Sequence, residues 1–290
     1  MSSEKLSQIK VAGFVIKPNA PELISIYKNI KEKFKVRNIE VLLLNESAKM
    51  LGLSDGIEFE ELCEKSDFLV SLGGDGTLLS LVRRSYGYHK AVVGINAGTL
   101  GFLADVRITE IDLFLDNLII GEYRIDDRMM IDGYIQTADG RKHFHAFNDV
   151  VIMRPRISHM VKIDASVDGE WFNTYRGDGL IIATATGSTA YNLAAGGPVM
   201  YPLTQAFIMT PIAAHSLTQR PMVLPSNFTI DFSSPNDTVV VMVDGQDDYE
   251  MIAGDVLVIN GAKIGAKLLH KKERNYFSVL REKLHWGDEE

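Results

Sequence analysis

One cysteine, Cys63, occurs in 290 residues, so no disulfide can close within the chain and no multi-cysteine metal centre can form. A reducing cytoplasm is the expected location. Acidic residues outnumber basic ones, 38 against 30, and no long Lys/Arg block offsets the formal charge of −8, which argues against nucleic acid as a partner. An anionic small ligand would therefore need a local pocket. No run of about 18 apolar residues is present to span a membrane, and Glu4 and Lys10 interrupt the opening segment where a secretory signal would be apolar. Internal repeats, low-complexity tracts and Pro/Ser-rich linkers are also missing. Hydrophobic residues at 46% and charged residues at 23% are the balance of a folded globular chain.

The first third alternates short apolar, β-branched runs with helical spacing, the pattern of a parallel sheet with crossover helices. Strands are expected at Ile9–Ile16, Ile39–Leu44, Phe68–Leu72 and Ala91–Ile95. Between them, Pro21 opens a helix whose Leu23, Ile24, Tyr27, Ile30 and Phe34 share one face. A second helical stretch, Ile108–Ile120, stops at Gly121. From about residue 122 short alternating runs take over, and Asp-Gly pairs at 132–133, 139–140 and 168–169 are read as hairpin turns. Helical spacing returns over Tyr276–Trp286. The expected fold is an α/β N-terminal domain with a parallel sheet, residues 1–121 completed by 265–290, plus a C-terminal β-rich, β-sandwich-like domain, residues 122–264.

Gly73-Gly74-Asp75-Gly76-Thr77 lies between an apolar strand and an amphipathic helix. Glycines there permit positive φ and close ligand approach, and the helix start offers free N–H groups to phosphate. Gly73, Gly74, Gly76 and Thr77 are the candidate ATP-phosphate contacts. A carboxylate at Asp75 would repel phosphate unless it serves as general base or as an outer partner of Mg²⁺; the alternative is a simple helix cap. The turn is neither a Walker A loop nor a dinucleotide G-x-G-x-x-G.

Residues 176–202 carry five glycines among small hydroxylated side chains. Thr186 to Tyr191 offer hydroxyl and backbone donors beside an aromatic ring, which suits a nucleotide sugar and base; an ordinary strand and loop is the alternative. Asn148-Asp149 interrupts an apolar alternation and is either a plain turn or a pair able to bond ribose hydroxyls. His143 and His145 share a strand face but have no third ligand nearby in sequence, so no metal site is expected.

In this order, GGDGT (73–77), ND (148–149), GDGLIIATATGSTAYNLAAGGP (177–198) and PIAAHSLTQRP (211–221) resemble the NAD kinase family, from about residue 67 to 250. The resemblance implies two domains forming the site, assembly as a homodimer or homotetramer, and transfer of the ATP γ-phosphate, with Mg²⁺ or another divalent cation, to the adenosine-ribose 2′-hydroxyl of NAD. It further implies Asp75 as catalytic base and NAD contact, and NAD contacts at Gly76, Asn148, Asp149, His159, Arg176, Asp178, Thr189, Ala190, Tyr191, Asn192, Leu193, Ala194 and Gln246. Departures from the family pattern are Ala183 and Ala185, where Ser and Pro are usual, and Asp149 in place of glutamate; no needed chemical group is lost. Lipid kinases and phosphofructokinases carry similar GGDG turns but lack the GSTAYNLAAGGP stretch. A rival from another class is a non-catalytic dinucleotide sensor, for which a carboxylate at Asp75 has no use.

Overall fold

A computed structural model describes residues 4–98, 101–155 and 160–287. The chain divides into two compact units, Met1–Asp127 with Ala266–Glu290, and Arg128–Gly265.

In the first unit, strands β1 (Val11–Ile16), β2 (Glu40–Leu44), β3 (Gly56–Ile57), β4 (Phe68–Gly73) and β5 (Ala91–Asn96) pair parallel in the order β3-β2-β1-β4-β5. The short β6 (Val106–Arg107) pairs with β5, while a strand from far along the chain, Ala266–Lys271, lies between β5 and β7 (Tyr123–Arg128). Every residue of β4 and β5 is buried, as strands covered on both faces by crossover helices must be. Those helices are α1 (Ile24–Val36), α2 (Asn45–Met50), α3 (Phe59–Lys65), α4 (Asp75–Arg84) and α5 (Ile111–Ile119). The predicted apolar face of α1 buries Tyr27, Ile30 and Phe34. Phe14 of β1 meets the rings of Tyr27 and Phe34 edge-on at 6.0 and 5.2 Å, a cluster whose loss by Phe14→Ala would cost about 3–5 kcal/mol. Gly121, expected to stop α5, has φ +79°. Strand order reverses direction between β1 and β4, and ligands of open α/β sheets bind outside the carboxyl ends of the strands at such a reversal.

The second unit holds two six-stranded sheets whose recorded pairings are all antiparallel. One contains β8 (Ile131–Thr137), β9 (Gly140–Ala146), β11 (Val161–Val167), β12 (Glu170–Gly177), β16 (Ile230–Ser233) and β19 (Val256–Gly261); the other contains β10 (Asp149–Met153), β13 (Gly179–Ala183), β14 (Ala206–Ile212), β15 (Met222–Pro225), β17 (Val239–Val243) and β18 (Asp247–Met251). A shared core joins alternate residues of both, including Ile131, Phe144, Ile163 and Phe232 from the first and Ile152, Ile182, Phe207 and Val241 from the second, the arrangement of a sandwich. Val151, Ile181, Ala183 and Ile208 point the other way and pack with Ala195 and Met200. That second cover explains why β13 is buried at every position.

Two of the three Asp-Gly pairs fall at hairpins. Asp168 and Gly169, at φ +50° and +82°, make the two-residue turn between β11 and β12, and Gly140 opens β9 after the turn at residues 138–139. Asp132-Gly133 is no turn but lies inside β8: a Cβ on Gly133 would stand 2.4 Å from the ring of Phe144, its cross-strand neighbour. Glycine serves there to admit an aromatic ring, a need that a local sequence pattern does not reveal.

Candidate active site

The GGDGT turn lies at the carboxyl end of β4, beside the strand-order reversal. None of its glycines has positive φ among the left-handed residues of the chain, so conformational freedom is not what they supply. A Cβ on Gly73 would press to 2.4 Å from Thr77 Oγ1, whereas Gly74 and Gly76 face open space. The backbone is thus bare on the side from which a phosphate would approach the start of α4. Lys17, just after β1, is a cation beside Gly73, with its Cβ 3.0 Å from where a Cβ on that glycine would stand; its N–H binds Leu72 O at 2.9 Å and its exposed side chain makes no ion pair among the described residues. The sequence signal for it was slight, a lysine ending an apolar run.

Asp75 is the first residue of α4, and the capping position belongs to Gly74 with no side-chain cap bond. The Asp75 carboxylate turns instead to the loop before β6. Its Oδ2 accepts the N–H of Phe102 at 2.7 Å, its Oδ1 that of Ala104 at 2.9 Å, and Leu103 N–H lies 3.2 Å from both oxygens. Gly101 makes the approach possible, since a Cβ there would fall 2.1 Å from Oδ1. A capping role is set aside, and a fixed, half-exposed acceptor remains beside the turn.

In the β-rich unit, one end of the β13-β10-β17 stretch gathers a second group. Asp149 opens β10 opposite Ala183, the last residue of β13, and Val150 pairs with Val243, the last of β17. Asp244, at φ +52° just beyond β17, accepts the N–H groups of Phe147, Asn148 and Asp149 at 2.8, 2.7 and 2.9 Å. Asn148 O accepts Thr184 N–H at 2.8 Å, and Thr184 Oγ1 donates to Phe147 O and receives Gly187 N–H. A Cβ on Gly187 would collide with Asn148 O at 2.1 Å. Asn148, Asp149, the segment from Thr184 through Thr189, Ala190 and Tyr191, and the turn bearing exposed Gln246 therefore form one assembly. Burial foremost, and the nearby charge of Asp244, push the Asp149 carboxyl up to about 7.

Other expected residues fall elsewhere. Asn192 is fully buried, giving both amide hydrogens to Ser188 O and Pro198 O and accepting from Thr210 at 2.6 Å; its side chain braces the segment from within. Leu193 and Ala194 follow it in the short helix α6 (Tyr191–Ala194). Asp178 stands at the opposite end of β13 from Asp149, about 16 Å away at the strand rise, and Arg176 lies before it in β12; neither is brought to the cluster within this chain. Asp178 pairs with Arg154 at 2.8 Å, not with Arg176. His159 lies outside the described residues. His143 stacks near Tyr134 and His145 sits 3.4 Å from Asp132; no three His, Cys, Asp or Glu side chains gather as a metal centre among the described residues.

Sequence profiles of the ATP-NAD kinase N-terminal and C-terminal domains match residues 12–123 and 147–270. The NAD kinase of Wolinella succinogenes is 49% identical over 98% of both chains. The chain belongs to the NAD kinase family. It is a kinase that phosphorylates NAD to NADP. The NAD kinase of Sulfurimonas denitrificans is 46% identical over 97% of this chain and 98% of its own. Among solved structures, yeast NADH kinase complexed with NADH aligns with a TM-score of 0.89 at 25% identity, covering 97% of this chain and 89% of the other. An Archaeoglobus fulgidus NAD kinase in complex with ATP aligns with a TM-score of 0.74 at 26% identity, over 95% and 98% of the two chains. Family membership decides against both the lipid-kinase and the sensor alternatives.

Proposed function

We propose that the α/β unit supplies the donor-phosphate turn and the proton acceptor, and that the β-rich unit holds NAD with its adenosine-ribose 2′-hydroxyl as the attacking group. The observation that carries this is the Asp75 carboxylate, oriented by three backbone N–H groups immediately beside an open, glycine-bare helix start. Phosphoryl transfer asks for alignment and charge neutralisation more than for covalent help. The glycine-bare start of α4, from Gly74 to Thr77, faces the phosphates of ATP with the positive end of the helix dipole, and Lys17 adds a full positive charge. Asp75 receives the proton of the ribose hydroxyl as that oxygen attacks the γ-phosphorus, and the bond from the γ-phosphorus to the β,γ-bridging oxygen breaks to release ADP. Asn148, Asp149, Thr189, Ala190, Tyr191 and Gln246 hold the dinucleotide.

A divalent cation fits this site in one way. No group of three His, Cys, Asp or Glu side chains that could hold a metal ion gathers among the described residues, so Mg²⁺ would enter with ATP and be held chiefly by the donor phosphates. When bound it neutralises phosphate charge. The single buried Cys63 suits a reducing cytoplasm, and a homodimer or homotetramer is the assembly we propose from the family resemblance.

The test is incubation of the purified protein with NAD, Mg²⁺ and either ATP or polyphosphate, with NADP read by an NADP-specific dehydrogenase, alongside Asp75→Asn. ATP-dependent NADP formation that falls at least a hundredfold in Asp75→Asn, with NAD binding retained, is expected. A near-normal rate in that variant removes Asp75 as proton acceptor.

A further inference from the structure

The loop that orients Asp75 is gripped from its other side. Leu103 and Ala104 give their N–H groups to Asp75, and the carbonyl oxygens of the same two peptide units, those of Phe102 and Leu103, are taken by the guanidinium of Arg274, at 3.1 Å from Leu103 O and in a short contact with Phe102 O. The same peptide units thus run between an anion and a cation, N–H toward one and C=O toward the other, an alignment in which each bond polarises the next. Arg274 belongs to the segment after the returning strand, β20 (Ala266–Lys271), and is itself held rigidly. Its Nη1 lies 2.8 Å from His270 Nδ1 and 3.1 Å from Asp105 Oδ2, and its carbonyl accepts from Arg124 at 3.1 Å. Asp105 directly follows the loop, and His270 Nδ1 is 3.2 Å from the same carboxylate oxygen. Burial opposes ionisation of Asp105, but His270 and Arg274 outweigh it and bring its carboxyl down to about 2.

Stability alone gives little reason for this arrangement, because buried ion pairs are commonly replaceable by packed apolar groups without loss. What an apolar group could not do is hold two adjacent carbonyls in a fixed direction. We infer that Arg274 is a positioning residue for phosphoryl transfer: by holding the carbonyls of Phe102 and Leu103 it fixes the N–H donors that aim the Asp75 carboxylate. The inference rests on Asp75 being the proton acceptor.

The experiment is a four-member cycle in the full chain: wild type, Arg274→Met, Asp75→Asn and the double variant, with kcat and KM for NAD measured at saturating Mg·ATP. Arg274→Met keeps the stem and removes the donors; kcat is expected to fall on the order of tenfold or more with KM for NAD within about threefold. In the Asp75→Asn background the same substitution should cost nothing further, because its effect runs through Asp75. Arg274→Lys, with the charge kept and only part of the fork, should lie between; if Arg274→Met does not fold, as judged by circular dichroism, a Lys variant with the wild-type melting temperature and reduced kcat carries the same weight. Wild-type kcat in a folded Arg274 variant, a rise in KM alone, or losses that multiply in the double variant would overturn the inference. Asp75→Asn turning over normally removes the proton-acceptor role and this inference with it, whereas a slow Asp75→Asn beside an unaffected Arg274→Met removes the inference alone.

Discussion

The backbone N–H of Asn148 donates to the carboxylate of Asp244 across 2.7 Å, although nearly a hundred residues of chain separate the two. The same carboxylate receives Phe147 and Asp149, so the proposed NAD contacts at 148 and 149 hang from one acid at the tip of a different hairpin. Asp244→Asn keeps one oxygen for three donors and turns an amide N–H toward one of them. Urea unfolding should show a loss of about 1–3 kcal/mol, and KM for NAD should rise; unchanged values of both would show that the loop holds its own shape.

Asp149 gives the enzyme a pH signature. Its folded-state value of about 7 lies above the roughly 3.9 of an unfolded aspartate, so the folded state binds the extra proton. This contribution to stability is complete below about pH 4 and is lost as pH rises through 7. Asp149→Asn should therefore raise the melting temperature relative to wild type more at pH 8 than at pH 5. An equal change at both pH values would mean that Asp149 ionises like an exposed acid.

Open space at Gly76 separates binding from folding. Gly76→Ala meets no atom within 4 Å and has no left-handed backbone to strain, so thermal stability should hold within about 1 kcal/mol. KM for ATP should nevertheless rise several-fold if phosphate approaches there, and Lys17→Ala should raise it too while leaving KM for NAD unchanged. Wild-type KM for ATP in both variants would move the donor away from this turn.

Gly101 supplies the contrasting case. An alanine methyl would fall within 2.2 Å of three atoms of the Asp75 carboxylate, which must then swing away or carry the loop with it. Gly101→Ala is expected to abolish most turnover at nearly unchanged NAD affinity, measured by equilibrium binding. Retention of full kcat would show that the orientation of Asp75 is immaterial.

Local periodicity made the parallel sheet, the helix Ile24–Val36 and the change to antiparallel strands legible, because each element buries a face whose spacing is written in a dozen neighbouring residues. It was equally able to mark GGDGT as a turn at the end of a buried strand. What it missed are relations that only tertiary structure creates: Phe144 crossing Gly133, Asp244 reaching back to residues 147–149, and Arg274 meeting the loop at 102–103. Asn192 likewise carries a role that the motif does not show, since its side-chain amide is used to brace the segment inside the protein. The positions of Arg176 and Asp178 could not be judged from sequence, since nearness in the motif says nothing about which end of a strand a residue occupies.

Because β20 completes the first sheet beside β5, the α/β unit cannot close during synthesis until the whole β-rich unit has left the ribosome. Until then the apolar β5, covered on that side only at Ile95 and Asn96 by the short β6, offers an incompletely paired edge to any passing strand, and the nascent polypeptide carries the Asp75 turn without the Arg274 grip. A ribosome stalled midway would thus release a chain exposed to aggregation, and helper proteins that shield sheet edges should bind it most strongly in that interval.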